Sequence, residues 1–196
     1  MMPPRALKLL SFGRLFANDR RGVSAVEFAL VAPLMITLYI GLVEITEGTA
    51  IDRQVTQTAR AMGDLTSQAN LSANYDINST QLSNILAAAT AMMYPNSTTS
   101  LQVTITGINI AANGTATVLW SGANANAAAL TKGQTLTVPS GLKTANTASQ
   151  LIWAKVTWPY TPNLGYTITG TINLTDQFYV VPRQATTITC SGCQSH

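Results

Sequence analysis

Residues 20–43 read RRGVSAVEFALVAPLMITLYIGLV, an apolar run that carries a glutamate, Glu27, near its start. A carboxylate in hydrocarbon costs a few kcal/mol on insertion scales, and acidic residues in such segments tend to be functional. Phe28–Val43 holds no charge. Extended back to Val23, the run covers 21 residues, roughly 31 Å of helix at about 1.5 Å per residue. That length crosses a bilayer. Arg5, Lys8, Arg14, Arg20 and Arg21 precede it. The positive-inside rule then places residues 1–22 in the cytoplasm and everything after Val43 on the far side of the membrane.

A cleavable secretory signal peptide shares the basic start and the apolar middle. Against it, the apolar run is long, Glu27 interrupts its beginning, and the small residues at 48–50 follow two glutamates, Glu44 and Glu47. An ordinary signal anchor explains the length and the charge bias but not Glu27.

Only 10% of the 196 residues are charged, well below the usual quarter or so. Ser, Thr, Asn and Ala stand in their place, which suits an envelope or extracellular protein. The formal net charge of +3 belongs to the start of the chain. Residues 1–22 carry five basic side chains against Asp19, whereas residues 23–196 carry six basic and seven acidic ones. The basicity is therefore a leader, with no Lys/Arg stripe to hold nucleic acid. The one histidine is His196. No Ser/His/Asp set, phosphate-binding glycine motif or metal-ligand cluster is present, so no catalytic residue, metal or cofactor is expected. Outside the leader and the long helix the acids are Asp76 and Asp176, and nothing in the sequence places them together.

Beyond Val43 the helical period continues. Ile51, Val55, Ala59, Met62 and Leu65 recur at spacings of four, four, three and three, one face of an α-helix. The spacing predicts one helix from about Val23 to about Gln68, with Pro33, Gly41 and Gly48 as places where it can bend or loosen. Its first half is apolar all round, and its second half has one stripe to bury. A second helix is expected over Ser79–Met93, capped by Ser79 or Asn78, with Leu82, Ile85, Leu86, Ala89 and Met93 as its stripe. The period then changes to two. LQVTITGINIA (101–111) and TATVLWSG (115–122) flank Asn113-Gly114, a strong hairpin signal. QLIWAKVTWPYTP (150–162) and YTITGTINLTDQFYVVPRQAT (166–186) supply two or three more strands, while residues 123–149 read as a loop. The expected fold class is α+β, with an antiparallel sheet covering the amphipathic half of the long helix. The expected division is a leader (1–22), a membrane helix (23–43), its periplasmic continuation (44–68) and a periplasmic domain (69–196).

The stretch around Glu27 resembles the N-terminus of class III prepilin-like proteins, and most closely the TadE-like proteins of tight-adherence (Tad/Flp) pilus systems. Those read as a basic leader, then R-G-x-x-A-V-E-F-A-L-x-x-P, then an apolar helix. Here the matching residues are Arg21, Gly22, Ala25, Val26, Glu27, Phe28, Ala29, Leu30 and Pro33. VTWPYTP (156–162) and FYVVPR (178–183) look like the family's later strand pair. The resemblance implies a pilin-like architecture in the bacterial inner membrane. It implies cleavage between Gly22 and Val23 by a prepilin peptidase, and a minor pilin or pseudopilin that works with other subunits and the pilus assembly platform, related to type II/IV secretion machinery. It also implies that Glu27, with Phe28 beside it, sets register between subunits. After cleavage the α-amino group of Val23 would lie about one helical turn from the Glu27 carboxylate, and the two can neutralise one another in hydrocarbon. The alternative is that Glu27 sits at the bilayer edge and reaches headgroups or water.

A different class of function stays open at this point: an uncleaved, signal-anchored envelope receptor or adhesin whose loops at 121–150 contact a ligand. Cys190 and Cys193 are a candidate local disulfide for an exported domain. So small a loop removes little unfolded-state entropy. So near the end, the pair is expected to constrain only the tail and to be dispensable for insertion and processing.

Overall fold

The structure is a computed structural model that describes residues 22–68, 75–143, 149–162 and 170–193. The leader other than Gly22 and the terminal His196 lie outside the described residues. Helix α1 runs unbroken from Val23 to Ser67 through Pro33, Gly41 and Gly48. Its two halves have the environments their sequences demand. From Val23 to Tyr39 the large apolar side chains are exposed. From Gly41 onward one stripe turns inward: Ile51, Val55, Ala59 and Met62 are buried on the sheet. Fully burying a side chain such as Ile, Val or Met is worth about 1.5–3 kcal/mol. Three of them together reach the scale of a whole domain's net stability, roughly 5–15 kcal/mol.

Helix α2 spans Ser79–Met92. Asn78, not Ser79, is the cap: its Oδ1 accepts from the Gln81 amide at 2.9 Å, while the Asn78 amide donates to Gln81 Oε1 at 3.0 Å. This reciprocal pair satisfies two donors that the first turn would otherwise leave open. Leu82, Ile85, Leu86, Ala89 and Met93 pack into the main core, as their spacing predicts.

Five strands follow: β1 (Gln102–Ile110), β2 (Ala116–Ala123), β3 (Thr135–Leu136), β4 (Ser149–Tyr160) and β5 (Ile172–Val180). They form one antiparallel sheet in the order β3-β2-β1-β4-β5. Asn113-Gly114 turns β1 into β2, with Gly114 at φ +81°, a conformation that suits glycine. Strand β3 falls in the stretch expected to be loop. Residues 134–138 fold back over the outer sheet face, where Leu136 and Val138 cover Ile108, Ile110, Ala116 and Leu151. The other face carries Val103, Ile105, Ile152, Ala154 and Val156 toward α1. The result is an α+β domain with a long apolar helix packed on a C-terminal antiparallel sheet.

One position in β1 requires a missing side chain. The β1–β2 register shifts between Gly107 and Ile108, a bulge that re-aims the facing side chain. The Trp120 indole lies against Gly107, so that a Cβ there would come within 2.4 Å of Cε2 and Nε1. Trp120 Nε1 donates to the Ile188 carbonyl at 2.8 Å. Gly107→Ala should therefore displace the indole and lower stability by about 1–3 kcal/mol, the usual range for overpacking. Gly141→Ala, where an added Cβ meets nothing within 4 Å, should leave the thermal midpoint unchanged. Melting both variants of the full chain in detergent decides it, and equal midpoints would contradict the packing account.

Candidate functional site

Gly22 sits at the N-cap of α1 with φ −79° and ψ −16°, and its side chain position is open, with nothing within 4 Å. Val23 and Phe28 are 52% and 73% exposed, and Glu27 is exposed as well. Val23 and Glu27 are one helical turn apart on the same face. None of these residues is buried by the described part of the domain. They belong to an apolar arm, long and apolar enough to cross a membrane. Polar groups inside the arm are met locally: the Thr37 hydroxyl donates to the Pro33 carbonyl at 2.8 Å. In hydrocarbon such internal satisfaction is required, because no water is available.

Where the arm meets the domain, small and polar residues take over. Gly41 and Glu44 are buried, and Glu44 is only 1% exposed. The ring of Tyr160 packs beside Gly48, where an added Cβ would be 3.4 Å from Cε1. Its hydroxyl donates to the Glu44 carbonyl at 3.3 Å. Burial raises the Tyr160 pKa, and the charges of Glu47 and Glu44 add to the effect, so the phenol stays a donor. The burial of Glu44 has a signal in the phase of the helix: it lies seven residues before Ile51, on the same buried stripe.

Cys190 and Cys193 are joined by a disulfide with Cα atoms 5.3 Å apart. The tail that it bridges is packed against the domain. Cys193 is buried in the main core. Its Sγ lies over Gly122, and Gly192 lies directly against the backbone of Asn78 and Ser79. The segment is further held by Ile77 N to Thr189 O (3.0 Å), Thr189 N to Tyr75 O (3.1 Å) and Gly192 N to Ile77 O (2.9 Å). Ile188 is gripped from both sides by buried Gln150, whose Nε2 donates to the Ile188 carbonyl at 2.8 Å and whose Oε1 accepts its amide at 2.6 Å. The tail is thus part of the fold, closing over the entry to α2.

Asp76 holds the end of this closure. Its Oδ1 accepts from the Thr189 hydroxyl and the Ser191 amide, each at 2.8 Å, and its Oδ2 accepts from the Ser191 hydroxyl. The Ser191 hydroxyl is the main influence lowering the Asp76 pKa. Burial opposes it, and the Thr189 hydroxyl and Ser191 amide support it. Asp176 is not brought to this cluster; it lies in β5 opposite Val156. At the upper end of α1, Arg183 of the FYVVPR stretch pairs with Asp64 at 2.5 Å, and its amide donates to the Ser67 carbonyl. The ion pair is exposed, so its net contribution is small.

The family model described as TadE-like protein matches residues 22–61. The match opens on Gly22 and takes in the apolar arm, Glu44 and most of the buried stripe; it ends before α2 and the sheet. Neither a curated protein nor a solved structure matches the chain.

A depressed folded-state pKa at Asp76 has a defined pH signature. The stabilisation is present above the ordinary aspartate value of about 3.9 and is lost as pH falls through the lower folded value. Protection of the Thr189 and Ser191 amides, taken relative to the intrinsic exchange rate at each pH, should therefore be high at neutral pH and fall on acidification below about pH 4. Asp76→Asn should remove that acid-dependent step. An unchanged exchange profile in the variant would show that Asp76 does not hold the tail.

Proposed function

We propose that this chain, with its TadE-like segment at residues 22–61, is a minor pilin or pseudopilin that acts in assembly of a Tad/Flp-type pilus for surface attachment. The TadE-like segment points to Tad pilus systems, and the apolar arm to membrane anchoring. The finer reading is that a prepilin peptidase cleaves between Gly22 and Val23. The mature arm then holds the protein in the inner membrane, with the domain in the periplasm, until it associates with other pilin-like subunits and the assembly platform. It is a structural and assembly role, not an enzymatic one.

The observation that supports the reading best is the contrast along α1. The large apolar residues of 23–39 are left exposed all round, while the continuation of the same helix buries one stripe in its own domain. An apolar segment so placed needs lipid or neighbouring helices as its surroundings. Glu27 gives that segment a preferred position. A charged group with a partner in hydrocarbon is tolerated, whereas one without is costly, so pairing of Glu27 with a cleaved subunit's Val23 amine separates docked from undocked arrangements.

Two sets of variants test the proposal. Gly22→Leu should leave only the longer form, read as the intact mass of the membrane-bound protein; normal processing of that variant would defeat the cleavage assignment. Glu27→Gln and Glu27→Leu should insert and be cleaved normally yet fail to support pilus assembly or to co-purify with partner subunits. If both assemble pili at the normal level, Glu27 is merely tolerated at the bilayer edge. An intact leader on the wild-type membrane form would instead favour an anchored envelope receptor.

A further inference from the structure

The point at which α1 stops being exposed fixes the height of the domain above the bilayer. Val23 to Glu44 is about 31 Å of helix, close to the roughly 30 Å of a bilayer's hydrocarbon core. Burial by the domain begins at Gly41 and Glu44, so no spacer separates the membrane segment from the globular part. Among the described residues, the end of β4 reaches this level. Tyr160 bonds the Glu44 carbonyl and packs against Gly48, and its cross-strand partner is Ile172. Ile172 is 40% exposed. One residue further out, the Thr161 and Thr171 hydroxyls are bonded to each other at 3.1 Å.

Electrostatics agree with this placement. Residues 156–162 and 170–175 hold no Asp, Glu, Lys or Arg, so the described ends of the two strands are uncharged. Glu44 and Glu47 are the charges nearest this level on α1, which fits zwitterionic rather than anionic headgroups. Tyr160 itself is buried in the core; the side chain of this pair that is presented to the interface is Ile172. The rest of the domain is directed away: Gly63, nineteen residues beyond Glu44, packs under Phe178 and Val180 at the far end of β5.

We propose that the Tyr160/Ile172 end of the β4–β5 pair rests in the headgroup layer of the bilayer that α1 crosses, as a second lipid contact that seats the domain on the membrane. This rests on the reading of α1 as a membrane span. It goes beyond anchoring, because a span alone leaves the domain's tilt unset.

The test uses the full chain in phosphatidylcholine vesicles, with a nitroxide on one introduced cysteine at a time: Ile172→Cys, Ala112→Cys in the β1–β2 turn, and Leu34→Cys in the arm. Circular dichroism confirms that each variant is folded. Collision with lipid-soluble oxygen is compared with collision with a water-soluble nickel chelate. The oxygen-to-nickel ratio should be several-fold higher at 172 than at 112 and highest at 34. A ratio at 172 equal to that at 112, with 34 still lipid-buried, overturns the seating while leaving the span intact. A water-accessible 34 overturns both.

Discussion

One helix with two kinds of surface is the constraint on which the remainder of this structure depends. Helix α1 is apolar and exposed along its first half, long enough to cross a membrane, and packs on a protein core along its second, as one continuous helix. The stripe of Ile51, Val55, Ala59 and Met62 supplies the second requirement. It gives the sheet something to pack on, and so dictates which face of β1, β4 and β5 is apolar. Without it the five strands would expose an apolar face. The change from exposed to buried surface occurs over less than two turns, where Gly41 and Gly48 leave room, Glu44 is buried and Tyr160 closes the gap.

A second layer of organisation uses few residues and mostly polar ones. Gly107 leaves room for Trp120, Trp120 and Gln150 share the Ile188 backbone, and Asp76 collects Thr189 and Ser191. Buried polar groups such as the Gln150 amide are costly when unmet and specific when met. They therefore fix where the tail lies more sharply than apolar packing does, since an apolar side chain tolerates small slides and a paired amide does not. The disulfide belongs to this layer: its sulfur at Cys193 lies over Gly122 and holds one end of a segment already aligned by backbone bonds.

Much of this was legible in the sequence because it is periodic. The long helix, the second helix, the Asn113-Gly114 hairpin and the two later strands follow from spacings of 3.6 and 2, and the structure has them within a residue or two at most described boundaries. What escaped was set by pairing across the chain. Strand β3 is two residues long and exists because β2 offers it an edge; no pattern of that length is readable. The capping pair of Asn78 and Gln81 has a local signature, residues three apart, and was missed in favour of a single cap. The docked tail has no local signature at all. Its partners Asp76, Trp120 and Gln150 are scattered over 75 residues, and only their meeting makes Ser191 or Ile188 structural. The N-terminal segment was legible for a different reason: an acidic residue in an apolar run is a violation of pattern, and the family match begins there.

The position of Ile188 in the chain has a consequence for biosynthesis. Trp120 and Gln150 are made well before residue 188, and until it arrives their indole N–H and carboxamide lack the partner they have in the finished domain. A chain synthesised N-terminal parts first therefore holds all five strands before the domain can close. The sheet waits half-finished, its apolar face already able to meet α1 but the entry to α2 still open. Completion thus waits for residue 188, so that a product stalled before it holds a domain whose strands are present but whose latch is missing.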